Sequence, residues 1–174
     1  MQEFTFKLIE NDTYAALAYV GDEAAVVVPD SYEGKPVTVI YDGLFRDHSE
    51  ITSVRLPDTI TDIGSFVFDG CTGLKHIDLP KALNNLWRSA FLRSSLEEII
   101  LPENMRSIVS FTFKDCKNLK RVVCNPGLKK VYAWAFSGCD QLADFEHGPD
   151  VDISPQAFES KEPDMPKVKL IDKD

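Results

Sequence analysis

"IGSFVFDGCTGLKHIDLPKAL" runs from Ile63 to Leu83, and its pattern decides the fold because it recurs along the chain. Phe68 belongs to a column, Phe45, Phe68, Phe91, Phe113, Phe136 and Phe158, whose members lie 23, 23, 22, 23 and 22 residues apart. Five residues before each phenylalanine stands Ile40, Ile63, Leu86, Ile108, Val131 or Ile153. Ile51, Leu74, Leu96, Leu119 and Leu142 keep the same register, followed three residues later by Val54, Ile77, Ile99, Val122 and Phe145. Leu56-Pro57, Leu79-Pro80 and Leu101-Pro102 come next, replaced later by Cys124-Asn125 and His147-Gly148, and then Ile60, Leu83, Met105, Leu128 and Val151. Apolar columns held in register over successive units mark a solenoid: one unit cannot bury its own apolar face, so neighbouring units must cover it.

Inside a unit, the I-x-L alternation has the period of a strand with one buried face. The following proline cannot donate to a ladder and ends it. "DG", "KD" or "SG" after the phenylalanine supplies small turn formers that reverse the chain. The expected fold is a right-handed, mainly β solenoid, with one parallel strand per coil and short turns or 3-10 segments on the opposite side. Each coil buries about eight apolar side chains, at ~1.5–3 kcal/mol each once a neighbour covers them.

The ends need lids. "FTFKLI" (residues 4–9) and "YAALAYV" (14–20), separated by "ENDT", read as a hairpin, so residues 1–23 are expected to form an N-terminal cap. Residues 24–158 form the solenoid, opening with an atypical coil in which "DSYEGK" is a loop insertion. Residues 159–174 read as a charged tail, in which "KVKLI" (167–171) is suited to add an edge strand.

The 174 residues carry a net charge of -9, which argues against nucleic-acid or anionic-membrane binding, since both rest on clustered lysine and arginine. No apolar run approaches the ~20 residues of a bilayer span, so membrane insertion is not expected. "QEFTFKLIEND" after Met1 has neither a basic nor an apolar leader region, which leaves the compartment open and includes the cytoplasm.

The columns carry a family resemblance. "IGSFVFDGCTGLKHIDLPKAL" (63–83), "VYAWAFSGCDQL" (131–142) and "VVVPDSYEGKPVTVI" (26–40) resemble the bacterial BspA-like leucine-rich repeats, over about residues 24–158. The resemblance implies a leucine-rich-repeat solenoid and a non-catalytic interaction module, cell-surface or secreted, in some members adhesin-like.

Cys71, Cys116 and Cys139 share one repeat position with His48 and Ser94, while Cys124 takes a strand leucine position. Buried core filling is the preferred reading, because a ladder presents its ligands in a line and zinc needs four that converge. Coils stack ~4.8 Å apart, which puts Cys116 and Cys139 within reach of a disulfide, although side chains in register point in parallel. His48, His76 and His147 fall in different columns, away from any nucleophile or carboxylate pair. No catalytic, cofactor or metal site is therefore assigned, and the chain is not expected to be an enzyme.

Two surfaces are candidates for binding. On the strand face, His76, Asp78, Glu98, Ile100, Arg121 and Val123 point outward, with Arg55–Asp78 and Glu98–Arg121 as complementary neighbours and Ile100 beside Val123 as an apolar pair without an internal reason to be there. Such a face either stabilises itself through cross-strand pairs or binds a protein or glycan ligand. The second surface is aromatic: Tyr41, Trp87 and Tyr132 follow the isoleucine column, and Phe66, Phe111 and Trp134 stand two residues before the phenylalanine column. Either these rings thicken the core, or Phe66, Trp87, Phe111, Tyr132 and Trp134 form a patch for a partner or for self-association into a homo-oligomer or scaffold.

Overall fold

The structure, a computed structural model, describes residues 1–159 and the backbone of 169–172. It is a β-solenoid of about six turns. In chain order the strands are β1 (Glu3–Ile9), β2 (Thr13–Val20), β3 (Ala25–Val27), β4 (Ser31–Tyr32), β5 (Lys35–Ile40), β6 (Ser53–Arg55), β7 (Asp62–Ile63) and β8 (Asn85–Leu86). They continue with β9 (Glu98–Ile100), β10 (Ser107–Ile108), β11 (Arg121–Val123), β12 (Lys130–Val131), β13 (Asp144–His147), β14 (Asp152–Ile153) and β15 (Lys169–Asp172).

The I-x-L segments form the first parallel ladder, in which β3 pairs with β6 and β9, β11, β13 and β15 follow in order. Ile99, Val122 and Phe145 sit side by side and point inward, so the alternation places one face in the core. The ladder is interrupted at residues 74–80, which keep Ile77 buried but carry no strand pairing. The opposite side carries the expected turns around the phenylalanine column, and short strands in addition. A second parallel ladder of short strands runs there, β5-β7-β8 and then β10-β12-β14, through the column Ile40, Ile63, Leu86, Ile108, Val131 and Ile153. One inward residue and the outward residue before it suffice, because a neighbour at the same register supplies the bonds. Among the described residues the 3-10 segment is Glu10–Asp12, in the turn between β1 and β2.

β1 pairs antiparallel with β2, and β2 pairs parallel with β5, so the hairpin extends the second ladder at the N-terminal end. At the other end, β15 pairs parallel with β13 and adds the edge strand that "KVKLI" suggested.

Between the ladders runs a column of stacked rings. Phe45–Phe68, Phe68–Phe91, Phe91–Phe113, Phe113–Phe136 and Phe136–Phe158 have centroids 5.6, 4.8, 5.6, 5.2 and 5.4 Å apart, and in the central pairs the planes lie within 9° of parallel. Each stacked pair is worth ~0.5–1.5 kcal/mol beyond its area burial. The hairpin closes one end with Tyr19 edge-on to Phe45 at 5.2 Å, and Phe145 meets Phe158 edge-on at 5.3 Å at the other.

The turns around each phenylalanine explain the sequence beside it. Asp47, Gly70, Arg93, Asp115 and Gly138, two residues after the phenylalanine, all have left-handed backbone, with φ from 56° to 74°. Glycine and aspartate tolerate that conformation, which accounts for "DG", "KD" and "SG". Arg93 is the bulky exception, and its guanidinium holds the fully buried carboxylate of Asp69 at 2.8 Å, with Arg46 Nε 3.0 Å from the other oxygen.

Cys71, Cys116 and Cys139 are buried and free. Each thiol donates to the carbonyl of a phenylalanine in the preceding coil: Cys71 to Phe45 at 3.0 Å, Cys116 to Phe91 at 3.0 Å and Cys139 to Phe113 at 2.9 Å. The thiol is therefore a core donor that serves the turn, and Ser94, also buried, occupies the same column. Burial, first of all, pushes Cys71 and Cys124 up to about 12 and Cys139 well above the ordinary thiol value.

Phe91→Ala should lower the unfolding free energy by about 3–5 kcal/mol in urea titration, because it opens a cavity in the middle of the ring column. A thiol-reactive dye at about pH 8 should label Cys71, Cys116 and Cys139 only after unfolding, since all three are buried in the native state. Ready labelling of the native protein at any of the three would contradict their place in the core.

Candidate interaction surfaces

On the strand face, the expected pair Glu98–Arg121 forms at 2.8 Å, and Arg121 also reaches Glu146 at 2.8 Å from β13. Glu146, through its hydrogen bond and its charge, holds the Arg121 guanidinium above its ordinary value. Arg121 is thus fixed between two carboxylates. The Arg55–Asp78 pair does not form: among the described residues Asp78 instead meets His76 in its own segment at 3.1 Å, where the ladder is interrupted. His76 and Asp78 both remain well exposed, at 66% and 96%. Ile100 is 57% exposed beside half-buried Val123, with Val27 exposed in the same column near the N-terminal end.

The aromatic residues lie along the second ladder and the turn that follows it. Tyr41, Trp87, Tyr132 and Trp134 are exposed by 40–51%, and Phe66 and Phe111 are half-buried. None of the five expected rings is a core residue, so they do not thicken the core. Phe111 and Trp134 stack at 5.8 Å with planes 7° apart. Basic side chains cover the rings: Arg46 lies 5.0 Å from Phe66, Arg88 4.6 Å and Lys114 5.6 Å from Phe111, and Lys130 5.0 Å from Tyr132. Such contacts are worth ~0.5–1 kcal/mol at exposed sites.

The backbone under these rings is unusual. Gly43, Phe66, Ser89, Phe111 and Trp134, all two residues before a column phenylalanine, have φ of 69°, 60°, 61°, 63° and 60°. Glycine takes this left-handed conformation freely, whereas a side chain with a Cβ costs roughly 1–2 kcal/mol. Three large aromatics occupy it. The sequence signal was the aromatic column; its basic partners were missed, because Arg46, Arg88, Lys114 and Lys130 lie in no single column. Among the described residues no three His, Cys, Asp or Glu side chains converge where a metal ion could sit, and no helix is long and apolar enough to cross a membrane.

Comparison with known proteins fits this geometry. The leucine-rich-repeat protein of T. pallidum superposes with a TM-score of 0.69 and 25% identity, over 86% of this chain and 82% of that one. A leucine-rich-repeat protein of Bacteroides ovatus gives 0.61 and 21% over 92% of this chain, and a leucine-rich cell-surface protein of Faecalibacterium prausnitzii gives 0.58 and 22% over 84%. The match spans 51% and 54% of the lengths of those two proteins. No curated protein matches the chain. Leucine-rich-repeat proteins are in general interaction modules that bind proteins and do not act as enzymes. Residues 38–163 match the BspA-type leucine-rich-repeat region in six copies, and with most of its length in those repeats the chain belongs to that family.

Proposed function

We propose that the chain is a non-catalytic recognition module whose aromatic face, centred on Phe111, Tyr132 and Trp134, docks a protein partner. One observation carries this reading: exposed or half-exposed aromatics are kept at left-handed positions where glycine would remove the strain. Backbone strain of this kind persists where the side chain is needed for something other than stability. The rings are rigid and amphipathic, which suits them to the centre of an interface, and the flanking Arg88, Lys114 and Lys130 supply a polar rim. Display at the cell surface and an adhesin-like role belong to the same proposal; one protein of the same fold, from F. prausnitzii, is a cell-surface protein. The strand face is the second reading, supported by exposed Ile100 beside Val123.

Stability offers the first test. Phe111→Gly and Trp134→Gly should leave the unfolding free energy within about 1 kcal/mol of the parent, because lost ring contacts are offset by relief of the left-handed strain. A loss of about 3 kcal/mol or more in urea titration would mean that the rings are structural. Binding offers the second, with the labelled chain applied to an array of purified proteins and glycans. A protein ligand should be lost in the Phe111→Gly/Trp134→Gly variant and kept in Ile100→Lys. The opposite pattern would move recognition to the strand face, and ligands that are all glycans would overturn the partner class. A light-scattering mass that rises with concentration, and does not rise in the double variant, would assign the patch to self-association.

A further inference from the structure

Tyr41, Gly64 and Trp87 are successive members of the column behind the isoleucines, and they enclose a cleft of about 340 Å³. Two exposed rings stand two coils apart, roughly 9.6 Å, with a residue lacking a side chain between them. The gap is built into the backbone. The Ser65 N–H donates to Asp42 Oδ1 at 2.8 Å, which folds the Asp42 carboxylate over Gly64, and a Cβ on Gly64 would lie 2.8 Å from the Asp42 backbone nitrogen. Asp62 supplies a second carboxylate, held by Asn85 Nδ2 at 2.9 Å and the Thr61 hydroxyl at 2.7 Å. Each carboxylate oxygen keeps acceptor capacity beyond those bonds. The lining therefore carries two carboxylates and no basic side chain. Arg88, the nearest cation in sequence to Trp87, is committed to the ring of Phe111 on the other side.

Aromatic walls and fixed carboxylates without a counter-charge suit one kind of occupant. We propose that this cleft receives the guanidinium or ammonium end of a basic side chain projecting from the protein partner, an inference that rests on the aromatic face being the docking surface. The rings offer cation–π contact and the carboxylates offer charge-assisted hydrogen bonds. The volume is at the small end for a ligand pocket, which fits one side chain better than an extended ligand.

The chain has two tryptophans, so Trp134→Phe leaves Trp87 as the sole indole reporter. A Gly-Arg-Gly amide peptide should shift Trp87 emission saturably, while the same peptide with neutral citrulline should not. Asp42→Asn, which retains the acceptor for Ser65, should weaken binding about two- to fivefold, and adding Asp62→Asn should weaken it further, as expected for exposed ion pairs. Far-UV dichroism of the variants would check that the fold is kept. Equal responses to arginine and citrulline, or undiminished binding in the double asparagine variant, would overturn the proposal. A response to free arginine amide as strong as that to the peptide would assign the cleft to a small free cation and overturn the partner side chain. A silent cleft alongside partner binding that depends on Phe111 and Trp134 would remove this inference and leave the aromatic face standing.

Discussion

The stack of phenylalanine rings from Phe45 to Phe158 is the constraint on which the rest depends, because it fixes the rise of every coil. A ring that must lie flat on its predecessor sets the spacing, and both parallel ladders then find their partners at the same register on either side. Reversing the chain tightly around each ring from Phe45 to Phe136 demands left-handed backbone before and after it. Those turns in turn place a thiol where its S–H meets the carbonyl of the phenylalanine one coil back. Ring, turn and thiol are therefore one repeated device.

With stability concentrated between the two ladders, the outer surfaces are free to vary. The strand face uses much of that freedom on itself, as Arg121 bridges Glu98 and Glu146. The aromatic face is left more open: its rings are half-buried to about half exposed, and Phe66, Phe111 and Trp134 sit on strained backbone. Charge also divides this face, with basic side chains over Phe66, Phe111 and Tyr132 and carboxylates between Tyr41 and Trp87. A surface of this kind discriminates between partners by charge as well as by shape.

Much of the architecture was legible in the sequence because a solenoid repeats its constraints. Six occurrences of Phe68's environment reveal what one would not, and the burial of Cys71, Cys116 and Cys139 followed from their shared column. The second ladder was not legible, since two residues per strand are too few to show a period. Arg55–Asp78 was expected from the column pattern and fails because the first ladder is interrupted at that coil, leaving Asp78 to His76. The left-handed strain under Phe66, Phe111 and Trp134 was hidden for a different reason: aromatic residues are the last that one would assign to a glycine conformation. The buried Asp69 between Arg46 and Arg93 was likewise missed, because its column mixes arginine, aspartate and leucine.

The ring stack can be observed directly. Nuclear Overhauser contacts among ring protons of phenylalanine-labelled protein should link Phe68 to Phe91, Phe91 to Phe113 and Phe113 to Phe136, and should be missing between Phe68 and Phe113, two coils apart. Contacts that skip a coil, or rings without contacts to their neighbours in the column, would contradict the stacked core and the turn geometry that follows from it.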